Sequence, residues 1–158
     1  HKSADGVHIV TTLTLSGFTV GTVAAAAKGI GAAVFTLPAG VALVQNIYSS
    51  IAFDNADGSC DTDDPVAGFG SVVASGAVSV LNGTATFMDY MTEYTATNCA
   101  GSTPDVKFLN ATAGVNIGIS LNLSGSSKAI YLNCAETWTG TTTITAAGTV
   151  VINWVKIA

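Results

Sequence analysis

A regular pattern of apolar and polar positions marks the last part of the chain, from Lys128 to Ala158. Apolar residues there occupy every second position in two runs: Ile130, Leu132, Cys134 and Val150, Ile152, Trp154. A period of two over β-branched and aromatic residues is typical of strands that bury one face. We therefore expect two strands, and a chain reversal around Trp138 and Gly140 would place them antiparallel to each other. We also expect the second strand to be tied into a sheet.

The same pattern predicts further strands upstream. It is cleanest in Val115–Leu123, where apolar residues alternate with small polar ones over nine residues. Strand-like spacing also occurs in three other segments: Val7–Val20 (one or two strands around Gly17), Val41–Phe53 and Val106–Leu109. A turn is expected at residues 38–40, and the Ala/Gly-rich residues 21–33 offer at most one helical turn, since glycine disfavours helix.

A hairpin is predicted around Asn82-Gly83. This dipeptide is the preferred pair for a two-residue type I′ turn, and it lies between the segments Val66–Asn82 and Thr84–Thr92. With those two residues as the loop, Val78 lies opposite Phe87. The turn chemistry and the apolar pattern then agree on one register.

These segments together predict about eight strands with regular turns and no long helix. Such a chain best fits an antiparallel β-sandwich, of jelly-roll type. The length of 158 residues suits one domain. We therefore expect an N-terminal arm at residues 1–6 and a single β-sandwich domain at residues 7–158.

Charged residues are scarce, at 9% of the chain against about 25% in average globular proteins. Hydrophobic residues make up 49%, and mean hydropathy is +0.52. The composition predicts a surface covered by partners, and hence a homo-oligomer. A membrane protein is disfavoured, because the closest candidate span, Val20–Leu37, is interrupted by Lys28 and by glycines. The net charge of −5, with no Arg, argues against nucleic-acid binding.

Three cysteines leave their pairing open. Cys134 has strand spacing and is most simply a small core residue. Cys60 and Cys99 fall in polar segments, where they either pair or stay free, because nothing in the sequence fixes the distance between them.

The acidic loop, Asp54–Pro65, is the first candidate for chemistry. Half of the chain's ten acids lie in it: Asp54, Asp57, Asp61, Asp63 and Asp64. Carboxylates suit Ca²⁺, but the spacing does not match an EF-hand. A hydrated loop between strands is the favoured interpretation, calcium binding is the alternative, and we expect no metal dependence.

Side chains suited to catalysis are few. His1 is terminal and His8 begins the first strand, and neither zinc-binding spacing nor a Gly-x-Ser-x-Gly elbow occurs. Paired carboxylates for glycoside hydrolysis would need members of one group to share a cleft: Asp89, Glu93, Asp105 and Glu136. Because the ionisable groups are so sparse, we expect no enzyme activity, no catalytic residues, no cofactor and no metal site.

Aromatic residues offer a binding alternative. Five of them could form a sugar-binding platform: Tyr90, Tyr94, Tyr131, Trp138 and Trp154. Tyr and Trp are also common in sandwich cores and at protein interfaces, and that interpretation is favoured. Three glycosylation sequons, at Asn82, Asn110 and Asn122, are expected by chance in so Asn/Thr-rich a chain.

Four segments resemble small virion structural proteins of tailed bacteriophages: Val34-Phe-Thr-Leu-Pro-Ala-Gly40, Phe69-Gly-Ser-Val-Val-Ala-Ser-Gly76, Lys128-Ala-Ile-Tyr-Leu-Asn-Cys-Ala-Glu-Thr-Trp138 and Gly148-Thr-Val-Val-Ile-Asn-Trp154. The chain is similar to head decoration, or cement, proteins from about residue 34 onward. The resemblance implies a non-enzymatic β-rich protein, commonly trimeric, that binds the major capsid protein where capsid subunits meet. Its expected place is the outer surface of the virion, after assembly in the host cytoplasm. The alternative function is a head-fibre or adhesin-type module that binds host glycans through Trp138 or Tyr94.

Overall fold

A computed structural model describes residues 6–101, 105–109, 119–123 and 126–157 of the chain. Over these residues the chain forms nine strands and one three-residue 3₁₀-helix (Ala85–Phe87). The strands are β1 (Val7–Thr22), β2 (Gly29–Leu37), β3 (Gly40–Asn55), β4 (Val66–Gly70), β5 (Met91–Thr95), β6 (Asp105–Leu109), β7 (Ile119–Leu123), β8 (Lys128–Ala135) and β9 (Thr143–Ile157). Nearly all of the arm expected at residues 1–6 lies outside the described residues.

The strands form two antiparallel sheets. The five-stranded sheet has the order β1-β9-β3-β6, with β7 also paired to β3, and the four-stranded sheet has the order β2-β8-β4-β5. Strands that follow each other in sequence mostly lie in opposite sheets, which is the order of a jelly roll. The predicted all-β antiparallel sandwich of jelly-roll type is therefore confirmed.

The core lies between the two sheets and is built by the alternation that the sequence shows. Five of the six apolar residues in the two C-terminal runs have no exposed surface, and the sixth, Trp154, is 5% exposed. The long predicted strands at Val7–Val20 and Val41–Phe53 are present as β1 and β3. Gly17, with φ of 60°, lies at a break in the pairing of β1 with β9, as a bulge requires.

Two shorter expectations have mixed outcomes. Residues 24–27 form a tight turn, closed by two backbone hydrogen bonds between Ala24 and Ala27 of 2.9 and 3.3 Å, and not a helical turn. The chain turns at Pro38-Ala39 as expected, and Gly40 has φ of 129°. The predicted strand Val115–Leu123 is present from Ile119; residues 115–118 lie outside the described part.

The predicted pairing of the two C-terminal strands is wrong. Strand β8 pairs with β2 and β4, whereas β9 lies between β1 and β3 in the other sheet. The segment around Trp138 and Gly140 therefore crosses from one sheet to the other. Three hydrogen bonds hold it there. The Trp138 indole donates to the Lys28 carbonyl at 2.7 Å, and the backbone N–H and the hydroxyl of Thr139 donate to the Asp63 carboxylate, both at 3.0 Å.

The predicted type I′ hairpin at Asn82-Gly83 is also wrong. Neither residue has positive φ, whereas a type I′ turn requires it at both. Strand β4 ends at Gly70 and pairs with β5 far downstream, so residues 71–90 form a long excursion between two short strands. We call these residues the cover segment. Leu81 and Phe87 of this segment bury against the sheet while Val72, Val73 and Val80 stay exposed, and the packing of the buried side chains overrides the local turn preference.

The cover segment packs on the outer face of the four-stranded sheet. Together with β8 it forms a second apolar cluster of four buried residues: Ala74, Leu81, Phe87 and Ala135. Asn133 of β8, with no exposed surface, anchors the segment: its amide oxygen accepts from Ala74 N at 2.8 Å, and its amide nitrogen donates to the Val72 and Phe87 carbonyls at 2.9 and 2.7 Å. The sheet accommodates this close approach because several neighbouring positions are glycine.

We predict that Gly70→Ala destabilises the fold by about 1–3 kcal/mol, the usual cost of forcing a methyl group into a packed site. A Cβ at Gly70 would overlap the backbone of Thr86 and Phe87, which cannot rotate away. Urea unfolding measures the change. Gly83→Ala is the matched control, since nothing lies within 4 Å of a Cβ there. Equal stabilities of the two variants would contradict close packing of the cover segment on β4.

Candidate functional site

Asp63 in the acidic loop is a structural residue. It is 6% exposed, and its carboxylate accepts both hydrogen bonds from Thr139 that hold the crossing segment. Thr139 Oγ1 also lies 2.9 Å from the carbonyl oxygen of Ser59, so its one hydrogen is shared between that oxygen and the Asp63 carboxylate. The acidic loop thus joins β3 to the connection between β8 and β9, which the sequence does not indicate.

The other acids of the loop are exposed, and three of them accept hydrogen bonds close by. Asp61 accepts from Asn55 Nδ2 at 2.7 Å, and Asp54 and Asp57 accept from backbone N–H groups at 2.9 and 3.0 Å. Hydrogen bonds from Ser59, first from its side chain and then from its backbone N–H, lower the pKa of Asp57. Within the described residues, no group of three or more His, Cys, Asp or Glu side chains is placed to hold a metal ion.

Two of the four carboxylates considered for catalysis are held by contacts with loop backbone. Asp89 accepts from the Ser71 N–H and hydroxyl, both at 2.7 Å, and Glu93 accepts from Leu81 N and Asn82 N at 2.9 and 3.0 Å. Both fix the cover segment. Glu136 accepts only from the N–H of its neighbour Thr137 among the bonds found, and Asp105 lies in β6 opposite Ile51.

The remaining catalytic candidate, His8, is exposed on β1 opposite Val155. No hydroxyl or carboxylate contact is found for it in the described structure, and His1 lies outside that part of the chain. The arrangement therefore offers no nucleophile–base pair around His8. Of the sequon residues, Asn82 is exposed in a turn, Asn122 is in β7, and Asn110 falls outside the described residues.

The aromatic side chains mostly belong to the core. Four of the five candidates are 5–7% exposed: Tyr90, Tyr94, Trp138 and Trp154. The Trp154 indole donates to Thr11 Oγ1 at 3.1 Å and stacks at a tilt on Phe35, with 6.2 Å between ring centroids. Tyr131 is half-buried. Trp138 and Tyr94, the residues considered for glycan contact, therefore present no exposed ring face for stacking.

All three cysteines are free and fully buried. Asn55 lies between two of them: its Nδ2 donates to the Cys99 carbonyl at 2.9 Å, and its Oδ1 accepts from Cys60 N at 3.4 Å. Burial, followed by the nearby Asp63 carboxylate, raises the pKa of the Cys99 thiol to about 12. Burial also raises the pKa of Cys60 and Cys134. Protonated, inaccessible thiols are poor nucleophiles.

The remaining candidate for a functional site is the outward-facing side of the five-stranded sheet. Residues that alternate with the core positions of β9 lie on it, and pairing aligns them with β1 and β3 in four rows: His8–Val155–Leu43, Val10–Asn153–Asn46, Thr12–Val151–Tyr48 and Thr14–Thr149–Ser50. We call these twelve positions the outer face. None is Lys, Arg, Asp or Glu. All but Val155 are exposed or half-exposed, whereas the other sheet buries Asn133 and Ala135 under the cover segment.

No family model, curated protein or solved structure matches this chain. Among the residues described, no helix is long and apolar enough to span a membrane.

We predict that Glu93→Ala lowers the unfolding free energy by about 1–3 kcal/mol, because it removes a charged acceptor from two backbone N–H groups. Glu136→Ala is the control and should change stability by less than about 0.5 kcal/mol, as is usual for surface sites. Chemical denaturation of both variants measures the difference. A loss as large for Glu136→Ala as for Glu93→Ala would show that the cover segment does not depend on this carboxylate.

We also predict that stability falls as the pH rises from 9 towards 12. The Cys99 thiol has an ordinary pKa of 9.0 when unfolded and a pKa of about 12 when folded. Between these values the unfolded state binds fewer protons than the folded state, so unfolding becomes more favourable as the pH rises. Urea unfolding at several pH values measures the slope. Cys99→Ala should give a shallower decline; an unchanged decline would show that burial does not hold this proton.

Proposed function

We propose that this protein is a capsid decoration protein, which binds the outside of a tailed-phage head and stabilises the shell without chemistry. The observation that carries the proposal is the uncharged outer face. A sheet surface that combines apolar and small polar residues and contains no Lys, Arg, Asp or Glu can be desolvated against a partner at little cost, because no unpaired charge is removed from water.

The use of polar groups supports a structural function. Asp63, Asp89 and Glu93 hold loops, and the three thiols are buried and protonated. Catalysis needs ionisable groups that converge in a cleft, whereas Asp63, Asp89 and Glu93 are each bound to backbone N–H groups that hold loops in place. The fold itself is neutral on this point, since jelly rolls occur in viral capsid domains, lectins and cupins alike.

A decoration protein attaches to a shell through many weak contacts. A decoration protein that touches several capsid subunits gains strength from multivalency, and binding only the assembled shell stabilises that state by mass action. The three-fold self-association implied by the resemblance would supply several copies of the outer face in one particle-bound unit. The major capsid protein is the proposed partner.

The role is tested on particles with and without the protein. Particles stripped of it should release their nucleic acid at a lower temperature, and added protein should restore resistance at a fixed number of copies per particle. Equal release temperatures would remove the stabilising role and leave glycan binding, tested on a glycan array, as the better hypothesis.

We predict that Thr149→Asp combined with Val151→Asp weakens attachment at least about tenfold, the equivalent of 1.4 kcal/mol. Both residues lie on the outer face, and each new carboxylate would lose its water on contact without gaining a partner. Co-sedimentation with stripped particles measures binding. Thr36→Asp combined with Thr86→Asp, exposed positions on the other side of the sandwich, is the control. Equal binding by both double variants would exclude the outer face as the contact.

A further inference from the structure

Strand β1 is a long edge whose bulges lie beyond Leu15, so that its first half, Val7–Leu15, is regular. It runs for sixteen residues and pairs with β9 on one side, and no described strand pairs with its other side. Val7–Thr22 contains no Pro, Lys, Arg, Asp or Glu. Edge strands of soluble proteins are usually short or carry such residues, since an open row of N–H and C=O groups is a template for another strand. An edge of this kind is therefore expected to be paired.

The apolar side chains beside this edge are also incompletely covered. Five hydrophobic residues pack on the main core while remaining partly exposed, and all of them lie on β1 or β2: Ile9, Leu13, Phe18, Val34 and Phe35. Strands β1 and β2 are the edges of their two sheets and contact each other. On this side of the sandwich Val7 and Val10 are 62% and 66% exposed, the highest values among the large hydrophobic residues. The open edge thus coincides with an apolar seam.

We propose that two copies of this chain associate through β1, with residues Val7–Leu15 paired antiparallel around a two-fold axis at Thr11. A second copy of this chain is the proposed partner because the edge segment is complementary to itself. Around that axis the pairs are Thr11 with Thr11, Val10 with Thr12, Ile9 with Leu13, His8 with Thr14, and Val7 with Leu15 of the second copy.

This register brings compatible side chains together on both faces of the sheet. Ile9, Leu13 and Leu15 share the core side of the sheet with Trp154 and Val150, so the apolar seam of each copy meets that of the other. On the outer side, Val10 meets Thr12, a pair of β-branched residues suited to strands. No two charged residues lie opposite each other, and the strongly exposed Val7 gains Leu15 as a neighbour.

Such a pairing merges the two five-stranded sheets into one continuous sheet. A two-fold axis perpendicular to the sheet keeps the outer faces of both copies on the same side. The association therefore leaves the outward side of the outer face open, although four residues of that face lie along the paired edge: His8, Val10, Thr12 and Thr14. It adds a two-fold contact to any three-fold contact elsewhere, so the expected species in solution are a dimer or, with both contacts, a hexamer.

Cysteine cross-linking tests the register. Opposed residues in an antiparallel pair have Cα atoms about 4.5–5.5 Å apart, within the range of a disulfide. Val10→Cys protein and Thr12→Cys protein are mixed, left until their subunits exchange, and oxidised with diamide. The mixture should give a cross-linked dimer on a non-reducing gel. Either variant alone should give much less, because its new thiols lie diagonally across the axis. The three native thiols are buried and should not react. A mixture that cross-links no better than the separate variants would overturn the register.

Sedimentation of the isolated chain tests the association itself. We expect twice the monomer mass of 15.8 kDa, or six times that mass. Val10→Lys combined with Thr12→Lys places cations opposite each other across the axis, and it should halve either mass without unfolding the protein, because both side chains are exposed. Thr19→Lys combined with Thr95→Lys adds the same charge at exposed positions outside Val7–Leu15 and should leave the mass unchanged. A monomer or a trimer of the unmodified chain would refute the two-fold contact, and cross-linking decides the matter if the lysine variant does not fold.

Discussion

Backbone groups outside the strands must find hydrogen-bond partners, and this chain has few charged side chains with which to supply them. Besides the backbone–backbone bonds in its turns, five buried or half-buried residues bind loop backbone groups: Asn55, Asp63, Asp89, Glu93 and Asn133. Asp89 joins the two ends of the cover segment through Ser71, and each of the others ties a loop to a strand or to another loop. The position of the cover segment and the crossing from β8 to β9 both depend on these contacts, so the jelly-roll order rests on a small polar set inside an apolar protein.

The sequence predicts what depends on periodicity and fails where tertiary contacts decide. The alternation around Ile152 and Leu132 correctly marks buried strands, because one face of each must meet the core. It contains no information on which sheet each strand joins, so the pairing of β8 with β9 was predicted wrongly. The local preference of Asn82-Gly83 was overridden by burial of Leu81 and by the carboxylate of Glu93.

The polar contacts were less predictable than the strands. Asn133 occupies a strand position where a solvent-facing side chain is expected, and only the cover segment above it explains its burial. The one signal available was compositional: Gly29, Gly31, Gly68 and Gly70 cluster on strands next to it, which indicates a close backbone approach. The burial of Trp138 and Tyr94 agrees with the favoured interpretation of the aromatic residues as core or interface.

The two sheets differ in how their outward sides are treated. One is closed by the chain's own cover segment and a second apolar cluster, while the other presents rows of Val, Thr, Asn and Ser. Closing one side internally leaves the outer face as a broad uncovered surface within the described part of the chain. The proposed function uses that face and the proposed two-fold contact uses its β1 edge, so both can be occupied at once although they share residues of β1.

The place of β9 has a consequence for folding kinetics. Residues 143–157 lie between residues 7–22 and 40–55 in the sheet, so β1 and β3 cannot pair with their shared neighbour β9 until that strand is available. Nearly all pairing in the five-stranded sheet is therefore non-local, and chains of that kind fold slowly. During synthesis β1 stays unpaired in this sheet until residues 143–157 have left the ribosome, whereas β3 can already pair with β6 and β7. A chaperone, or a low concentration of nascent chains, would keep the unpaired β1 strands of different chains apart during that interval.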